Sequence, residues 1–218
     1  MHFSLYHYSP AEYAAYNPMS RVVAQWLIHA LRKHFALSTS HNINGIVPVI
    51  EHIGSTAIGV SGKGIIDIAM YLSPSIPKSA RAQSMCQSLE NLSHAEKIEL
   101  LMMALSKLNF VFEHGAKQFD IHRPRLDVTI VSKEKSYKVH CHLLVQGSIE
   151  QQKQRYFRQR LLMSPVLRHQ YEGLKQQIVG AGITEHLQYG QAKRHFVKSI
   201  LAELDEHLWS HTTVKAVT

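Results

Sequence analysis

Apolar positions recur with two different periods along the chain, and the change between them predicts helices alternating with strands. After Asn17-Pro18, a pair that suits the start of a helix, apolar residues return every three or four positions. Short apolar or alternating runs predict strands at residues 47–53, 65–72, 125–131 and 137–146, with a further strand start at 109–113. Helical periodicity predicts helices at residues 79–91, 95–108, 149–163, 165–179 and 191–209.

The same pattern divides the chain into two parts. Strands and helices alternate as far as Gly147, and helical periodicity alone follows it. We therefore predict an α/β fold, with a mixed sheet flanked by helices over residues 1–147 and a helical part over 148–210 that packs on this core. Residues 211–218 are predicted to form a disordered tail.

The last two predicted strands are joined by a short polar turn, which predicts a hairpin. Side chains alternate across a strand, so Asp127 lies on the polar face of the first strand, and His140 and His142 lie on that of the second. If the turn pairs Ser132 with Tyr137, Asp127 lies opposite His142. A shift of two residues separates this pair but keeps the shared face.

The segment with the most chemical information is HIGSTAIGVSGKGIIDI, residues 52–68. The Gly54-Ser55-Thr56 turn follows a predicted strand, and Asp67 stands near the start of the next one. Glycine lets a backbone approach a ligand closely, and exposed N–H groups and hydroxyls bind phosphate oxygens. A neighbouring carboxylate can hold Mg²⁺, whose other ligands are commonly substrate phosphates. The alternative is that Ser55 and Thr56 are ordinary turn residues and Asp67 is a structural acid.

This segment resembles the signature of the GrpB family, in which HIGST is followed by KPIIDI; here the second part reads GKGIIDI. Further matching positions are His140-Cys141-His142, Phe157-Arg158, Ser164-Pro165, the YEGLK of residues 171–175, Tyr189, Lys193 and Phe196. The resemblance covers roughly residues 15 to 205. It implies a nucleotidyltransferase-like α/β fold and membership of the nucleotidyltransferase superfamily, and it implies little about the reaction.

The likeness to nucleotidyltransferases implies that carboxylates hold Mg²⁺ for phosphoryl chemistry. Asp67 would be one of them, but the second acid is replaced by Ala69. Asp127 is the candidate for the missing carboxylate, which makes Asp67 and Asp127 the candidate catalytic residues. A metal set of Asp67, Asp127, His140 and His142 would suit a transition metal better than Mg²⁺, because imidazole prefers such ions. The alternatives for the histidines are direct contact with a phosphate or a polar surface without a ligand.

Candidate phosphate- or nucleotide-binding residues fall into two groups. The first surrounds the glycine-rich turn and comprises His52, Gly54, Ser55, Thr56 and Lys63. The second consists of basic residues at family-matching positions on the C-terminal helices: Arg158, Lys175 and Lys193. Long basic side chains there would close over an anionic ligand. The alternatives are a solvated loop lysine for Lys63 and pairing of the helix residues with Glu172 and Glu203.

The formal net charge of +8 also favours an anionic partner. Basic residues are densest between 153 and 168, where they are interleaved with glutamines and apolar residues, so a solvated helix face is the alternative. No basic–aromatic recognition motif accompanies them, which disfavours nucleic acid. The chain also lacks a Walker-type GxxxxGK[ST] and a Gly-x-Ser-x-Gly elbow, so neither a P-loop kinase nor an esterase triad is supported.

Composition indicates a cytoplasmic protein. No apolar run approaches the ~20 residues that span a bilayer, so no membrane association is expected. The first residues lack the basic and apolar regions of a signal peptide. Two cysteines, Cys86 and Cys141, cannot build a disulfide framework, which favours a reducing compartment.

Two functions are compatible with the sequence. The first is a metal-dependent nucleotidyl- or phosphoryl-transferase that acts on a nucleotide and a small acceptor, with a divalent metal as cofactor. The second is a catalytically degenerate protein of the same fold that binds a nucleotide or another phosphate-bearing small molecule. The expected clustering of Asp67, Asp127, His140 and His142 favours the first, and Ala69 favours the second.

Overall fold

One mixed sheet organises the computed structural model, which describes residues 1–10, 12–37, 48–73, 93–112, 124–133 and 135–213. Its strands are β1 (His2–Ser4), β2 (Val49–Ile53), β3 (Ile66–Leu72), β4 (Val111–Phe112), β5 (Arg125–Ser132) and β6 (Lys135–Val145). The strand order is β1-β5-β6-β3-β2, and β4 also pairs with β5. β3 and β6 are parallel, and the other pairings among these strands are antiparallel.

The helices of the described residues are α1 (Met19–Leu37), α2 (Gly54–Ile58), α3 (His94–Ser106), α4 (Ile149–Met163), α5 (Pro165–Gly180), α6 (His186–Ala192) and α7 (Arg194–Thr213). The last four follow β6 in succession. The predicted α/β fold with a helical C-terminal part is therefore confirmed. Within these residues, no helix combines the length and the apolar character needed to cross a membrane.

The main hydrophobic core lies on one face of the sheet. Alternation along β3 directs Ile66 and Ile68 into a buried cluster that also contains Leu27 of α1 and Leu101 of α3. These four side chains expose 1% of their surface or less. Because neighbouring residues of a strand face opposite ways, Asp67 lies on the other face of the sheet.

A second buried cluster holds the C-terminal helices against α2 and the loop after it. Ile58 and Val60 pack with Leu161 of α4, Tyr171 of α5 and Ile200 of α7. This cluster brings α5 beside the glycine-rich segment.

Most predicted elements are present with shifted ends. The first helix begins directly after Asn17-Pro18, and Asn17 Oδ1 accepts a hydrogen bond from the Met19 N–H at 3.0 Å. The predicted helix at 79–91 lies outside the described residues. The first part of the predicted tail is helical, because α7 continues to Thr213, and residues 214–218 lie outside the described range. The division of the chain at residue 147 stays a prediction.

The hairpin register differs from the predicted one. Ser132 pairs with Lys135, so Asp127 lies opposite His140 instead of His142. The turn is two residues tighter than the predicted turn. A shift of two residues leaves every side chain on its original face, so the shared polar face is retained.

The predicted Gly54-Ser55-Thr56 turn is wrong in detail, because these residues form the first turn of α2. Gly54 has a φ of +72°, a left-handed conformation that favours glycine. The chain therefore passes from β2 into α2 with no separate loop. The helix ends at Ile58, and the capping residue Gly59 also has a left-handed backbone conformation.

Candidate functional site

A row of polar side chains crosses three neighbouring strands on the face opposite the main core. Asp67 of β3 is level with His140 of β6, which is level with Asp127 of β5. His140 Nδ1 lies 3.7 Å from Asp67 Oδ1, and His140 Nε2 lies 3.9 Å from Asp127 Oδ1. His142 Nε2 is 3.6 Å from Asp67 Oδ1. The four side chains that were expected to cluster therefore lie together.

Asp67 is an ionised carboxylate. Burial acts to raise its pKa, but the hydrogen bond with His142 and the charges of His140, His142 and Lys193 outweigh burial and lower the pKa to about 2. The side chain keeps 28% of its surface exposed and lines a cavity. It is therefore available to a ligand.

Asp127 is not available in the same way. The Arg125 Nε and Nη2 groups donate to its Oδ1 and Oδ2, each at 2.8 Å. Both side chains are at most 4% exposed. Because a bidentate guanidinium occupies both oxygens, the proposed catalytic role of Asp127 has no support in this geometry. Sequence reasoning missed Arg125 as a partner, although the two residues share a face of β5.

The predicted metal set does not fit a metal ion. Within the described ranges, no group of three or more His, Cys, Asp or Glu side chains could hold one. Asp127 is bound to Arg125, whose positive charge opposes a cation, and His140 Nε2 is hydrogen-bonded to the Tyr6 hydroxyl at 3.1 Å. The geometry of the described residues therefore gives no support to a metal site formed by Asp67, Asp127, His140 and His142, and metal binding stays a prediction.

A cavity of about 460 Å³ opens beside Asp67. Lys63 and Lys193 line it, and their ammonium groups lie 4.2 and 4.6 Å from the centre of the same Tyr189 ring. Burial, and then repulsion from Lys193, lower the pKa of Lys63 to about 8. Burial likewise lowers the pKa of Lys193, against the attraction of Asp67. Two crowded cations therefore face this cavity.

Ser55 also lines the cavity, and Lys175 lies behind it. Lys175 is only 1% exposed, and its Nζ is 3.1 Å from Ser55 Oγ. It also donates to the backbone oxygen of Ser61. Lys175, which was predicted to bind phosphate, thus contacts the hydroxyl of Ser55 and does not itself line the described cavity.

His52 and Thr56 support the segment from beneath. His52 Nε2 is 2.9 Å from Thr56 Oγ1, and Thr56 Oγ1 donates to the backbone oxygen of Ile65 at 3.4 Å. Burial lowers the pKa of His52 to about 4, so the imidazole is neutral at physiological pH. The neutral imidazole of His52 positions Thr56, and phosphate binding by His52 stays a prediction.

Two further findings depart from the sequence predictions. Arg158 is exposed on α4 and does not line the described cavity, although its charge reaches His52. The N-terminal segment, for which no site residue was predicted, contributes Ala14 to Asn17 to the cavity. Ala14 forms a two-way backbone bridge with Gly62, which ties this segment over the loop after α2. Such pairing across distant residues leaves no periodic signal in a sequence.

The fold and the site define an α/β protein with a cation-lined cavity beside a strand carboxylate. The chain belongs to the GrpB family, since the family model described as GrpB protein matches residues 10–203. No curated protein matches the chain.

Proposed function

We propose that the cavity binds a phosphate-bearing small molecule, with a nucleotide as the first candidate. The observation that carries this proposal is the position of Lys63 and Lys193 on one Tyr189 ring. The ammonium of Lys193 disfavours the charged form of Lys63. A bound polyanion would relieve that repulsion, so binding is favoured by more than a single ion pair.

The rest of the cavity suits such a ligand. Its volume of about 460 Å³ is in the usual range for small-molecule sites, ~300–1,000 Å³. Ser55 supplies a hydroxyl on the cavity wall, and Tyr189 supplies an aromatic face. Asp67 sets a limit on orientation, because its negative charge would repel a phosphate placed directly against it.

Calorimetric titration with ATP, ADP and inorganic phosphate tests the proposal. We expect the affinity for ATP to fall at least ~10-fold in Lys193→Met and in Lys63→Met, and to fall with rising salt, because exposed charges are screened. Lys198→Met is the matched control, since Lys198 is an exposed lysine on α7 away from the cavity lining. Equal ATP affinity in all three variants, or no heat at millimolar ATP, would contradict the proposal.

Proton uptake gives a sharper version of the same test. An anion near Lys63 raises its pKa from about 8, so ATP binding at pH 8 should take up protons. Titrations in buffers of different ionisation enthalpy measure this uptake. The proton uptake should fall in Lys63→Met, and binding without any proton uptake would argue against contact between Lys63 and the phosphates.

The second candidate is a transferase of the nucleotidyltransferase superfamily. The ionised Asp67 on the cavity wall supports it. Ala69 and the Arg125–Asp127 pair weaken it, because they leave Asp67 as the one accessible carboxylate of the described row of Asp67, His140 and Asp127. Transfer of labelled phosphate or nucleotide from ATP to small acceptors is the assay, run on wild type and Asp67→Asn. Transfer that Asp67→Asn abolishes would support the transferase; no transfer, with tighter ATP binding in the variant, would support binding alone.

A further inference from the structure

Ser55 and Lys175 form a contact that anion binding does not explain. Lys175 Nζ is 3.1 Å from Ser55 Oγ and is almost completely buried, whereas Ser55 lines the cavity. A lysine whose role is to attract an anion would point its ammonium into the cavity. Here the hydroxyl stands between the amine and the cavity, which is the order of a nucleophile and its base.

The hydrogen bonds around the pair describe Lys175 in its charged form. Lys175 donates to Ser55 Oγ and to the backbone oxygen of Ser61, which can only accept. The hydrogen bond between Ser55 and the Tyr171 hydroxyl acts to lower the Tyr171 pKa, although burial raises this pKa to about 12, so the phenol keeps its own proton. When Lys175 loses a proton, its Nζ gains a lone pair 3.1 Å from Ser55 Oγ, which is close enough to accept the hydroxyl proton of Ser55.

The charge state of Lys175 is consistent with a base. Burial, followed by repulsion from Lys193, lowers its pKa to about 7, although Glu172 on its own helix and Asp67 on β3 act in the opposite sense. Lys175 is therefore able to lose its proton near neutral pH, and a neutral amine has a lone pair for the proton of Ser55.

We propose that Ser55 is a nucleophile activated by Lys175, and that the pair cleaves carboxylic esters that carry a negative charge. Lysine-activated serine is a known variant of the serine–histidine arrangement. The charge preference follows from Lys63 and Lys193 on the same cavity wall. The proposal goes beyond nucleotide binding and does not depend on it.

The reaction balances with water as the only co-reactant. Ser55 Oγ attacks the ester carbonyl, and its proton passes to Lys175 Nζ. The bond to the alcohol breaks, and Lys175 returns the proton to the alcohol oxygen. Water then attacks the acyl group on Ser55, Lys175 takes the proton from water, and Ser55 Oγ receives it as the carboxylic acid leaves.

Covalent labelling with diisopropyl fluorophosphate tests the nucleophile without any need for the anion site, because the probe is neutral. Ser55 Oγ forms a bond to phosphorus and fluoride leaves. We expect one adduct per chain, mapped to Ser55 by mass spectrometry, with a rate that rises with pH through about 7. Ser55→Ala should abolish the adduct. Ser199→Ala is the control, because Ser199 is exposed on α7 and should not affect labelling.

The role of Lys175 is tested by Lys175→Met, which should slow labelling at least ~100-fold, the usual contribution of a general base. If this variant does not fold by circular dichroism, the pH profile of the wild type decides, because a merely structural lysine would not impose a transition near pH 7. Labelling of Ser55 no faster than that of other serines, or a rate independent of pH between 6 and 8, would overturn the proposal.

Substrate charge is tested with 4-nitrophenyl acetate and the anionic 4-nitrophenyl succinate monoester. We expect a higher kcat/KM for the anionic ester, and loss of that preference in Lys193→Met. Equal values in the wild type would overturn the charge preference. A protein that binds no ATP but labels at Ser55 would refute the proposed nucleotide site and leave the nucleophile standing, so the two failures are distinguishable.

Discussion

At the scale of single residues, the contact between Gly54 and Asp67 explains why glycine precedes the serine of this segment. A Cβ added to Gly54 would lie 2.3 Å from Asp67 Oδ2, far inside van der Waals contact. Gly54 also has a φ of +72°, which costs any other residue energy. The glycine therefore permits both the backbone turn into α2 and the position of the carboxylate.

We predict that Gly54→Ala destabilises the protein by ~3 kcal/mol or more, because overpacking adds to the backbone strain. Gly147→Ala is the matched control: Gly147 has a φ of +78° but no neighbour within 4 Å of an added Cβ. It should lose only ~1 kcal/mol. Urea denaturation of both variants measures the difference. Equal losses of stability in the two variants would show that the close approach of Gly54 to Asp67 adds no destabilisation.

At the scale of elements, the hairpin of β5 and β6 keeps the predicted polar face, but its two strands pair in a register that differs from the predicted one. The buried ion pair of Arg125 and Asp127 lies along one face of β5 and uses both oxygens of the carboxylate. Burying two charges is costly unless they are paired with each other. Arg125 and Asp127 are paired in this way, so His140 and Asp67 are the polar groups of this row that line the cavity.

We predict that Asp127→Asn destabilises the protein by about 3–5 kcal/mol, because the buried charge of Arg125 would lose its bidentate interaction with the carboxylate. Glu51→Gln provides the control, since it breaks the more exposed pair of Glu51 and Arg155 and should cost less than ~1 kcal/mol. Chemical denaturation at pH 7 compares them. A loss under ~1 kcal/mol in Asp127→Asn would mean that Arg125 is readily solvated, and Asp127 would again be a candidate for chemistry.

At the scale of the whole molecule, two buried hydrophobic clusters have different roles: one packs helices on the sheet, and the other positions residues of the site. The larger core joins α1 and α3 to the sheet, and the smaller joins α2 to the C-terminal helices. The smaller core contains Tyr171, one helical turn before Lys175. Packing of this core therefore brings Lys175 to Ser55.

We predict that Leu161→Ala, in the smaller core, and Leu101→Ala, in the larger, each cost about 2–5 kcal/mol, since both side chains are fully buried. Their effects on the site should differ. Leu161→Ala should slow labelling of Ser55 about 10-fold, because a small misplacement of a catalytic group lowers its rate, whereas folded Leu101→Ala should label as the wild type does. Equal labelling rates in the two variants would contradict this division.

The sequence by itself determined the periodic features of the fold. Alternation along the two hairpin strands placed Asp127, His140 and His142 on one face, and a helical period with Asn17-Pro18 located the first helix. These predictions hold because side-chain direction depends on the local backbone, whose periods of 2.0 and 3.6 residues are fixed by geometry. The family resemblance added matching residue positions on the C-terminal helices.

The tertiary structure alone decided which of these residues meet. The hairpin register, the pairing of β1 with β5, the bridge between Ala14 and Gly62, and the contact of Lys175 with Ser55 could not be read from spacing. Each depends on packing between segments that lie far apart in the chain or on the length of one turn, and alternative registers keep the same periodic pattern. The site is therefore a product of long-range packing, whereas the faces on which its residues lie are a product of local geometry.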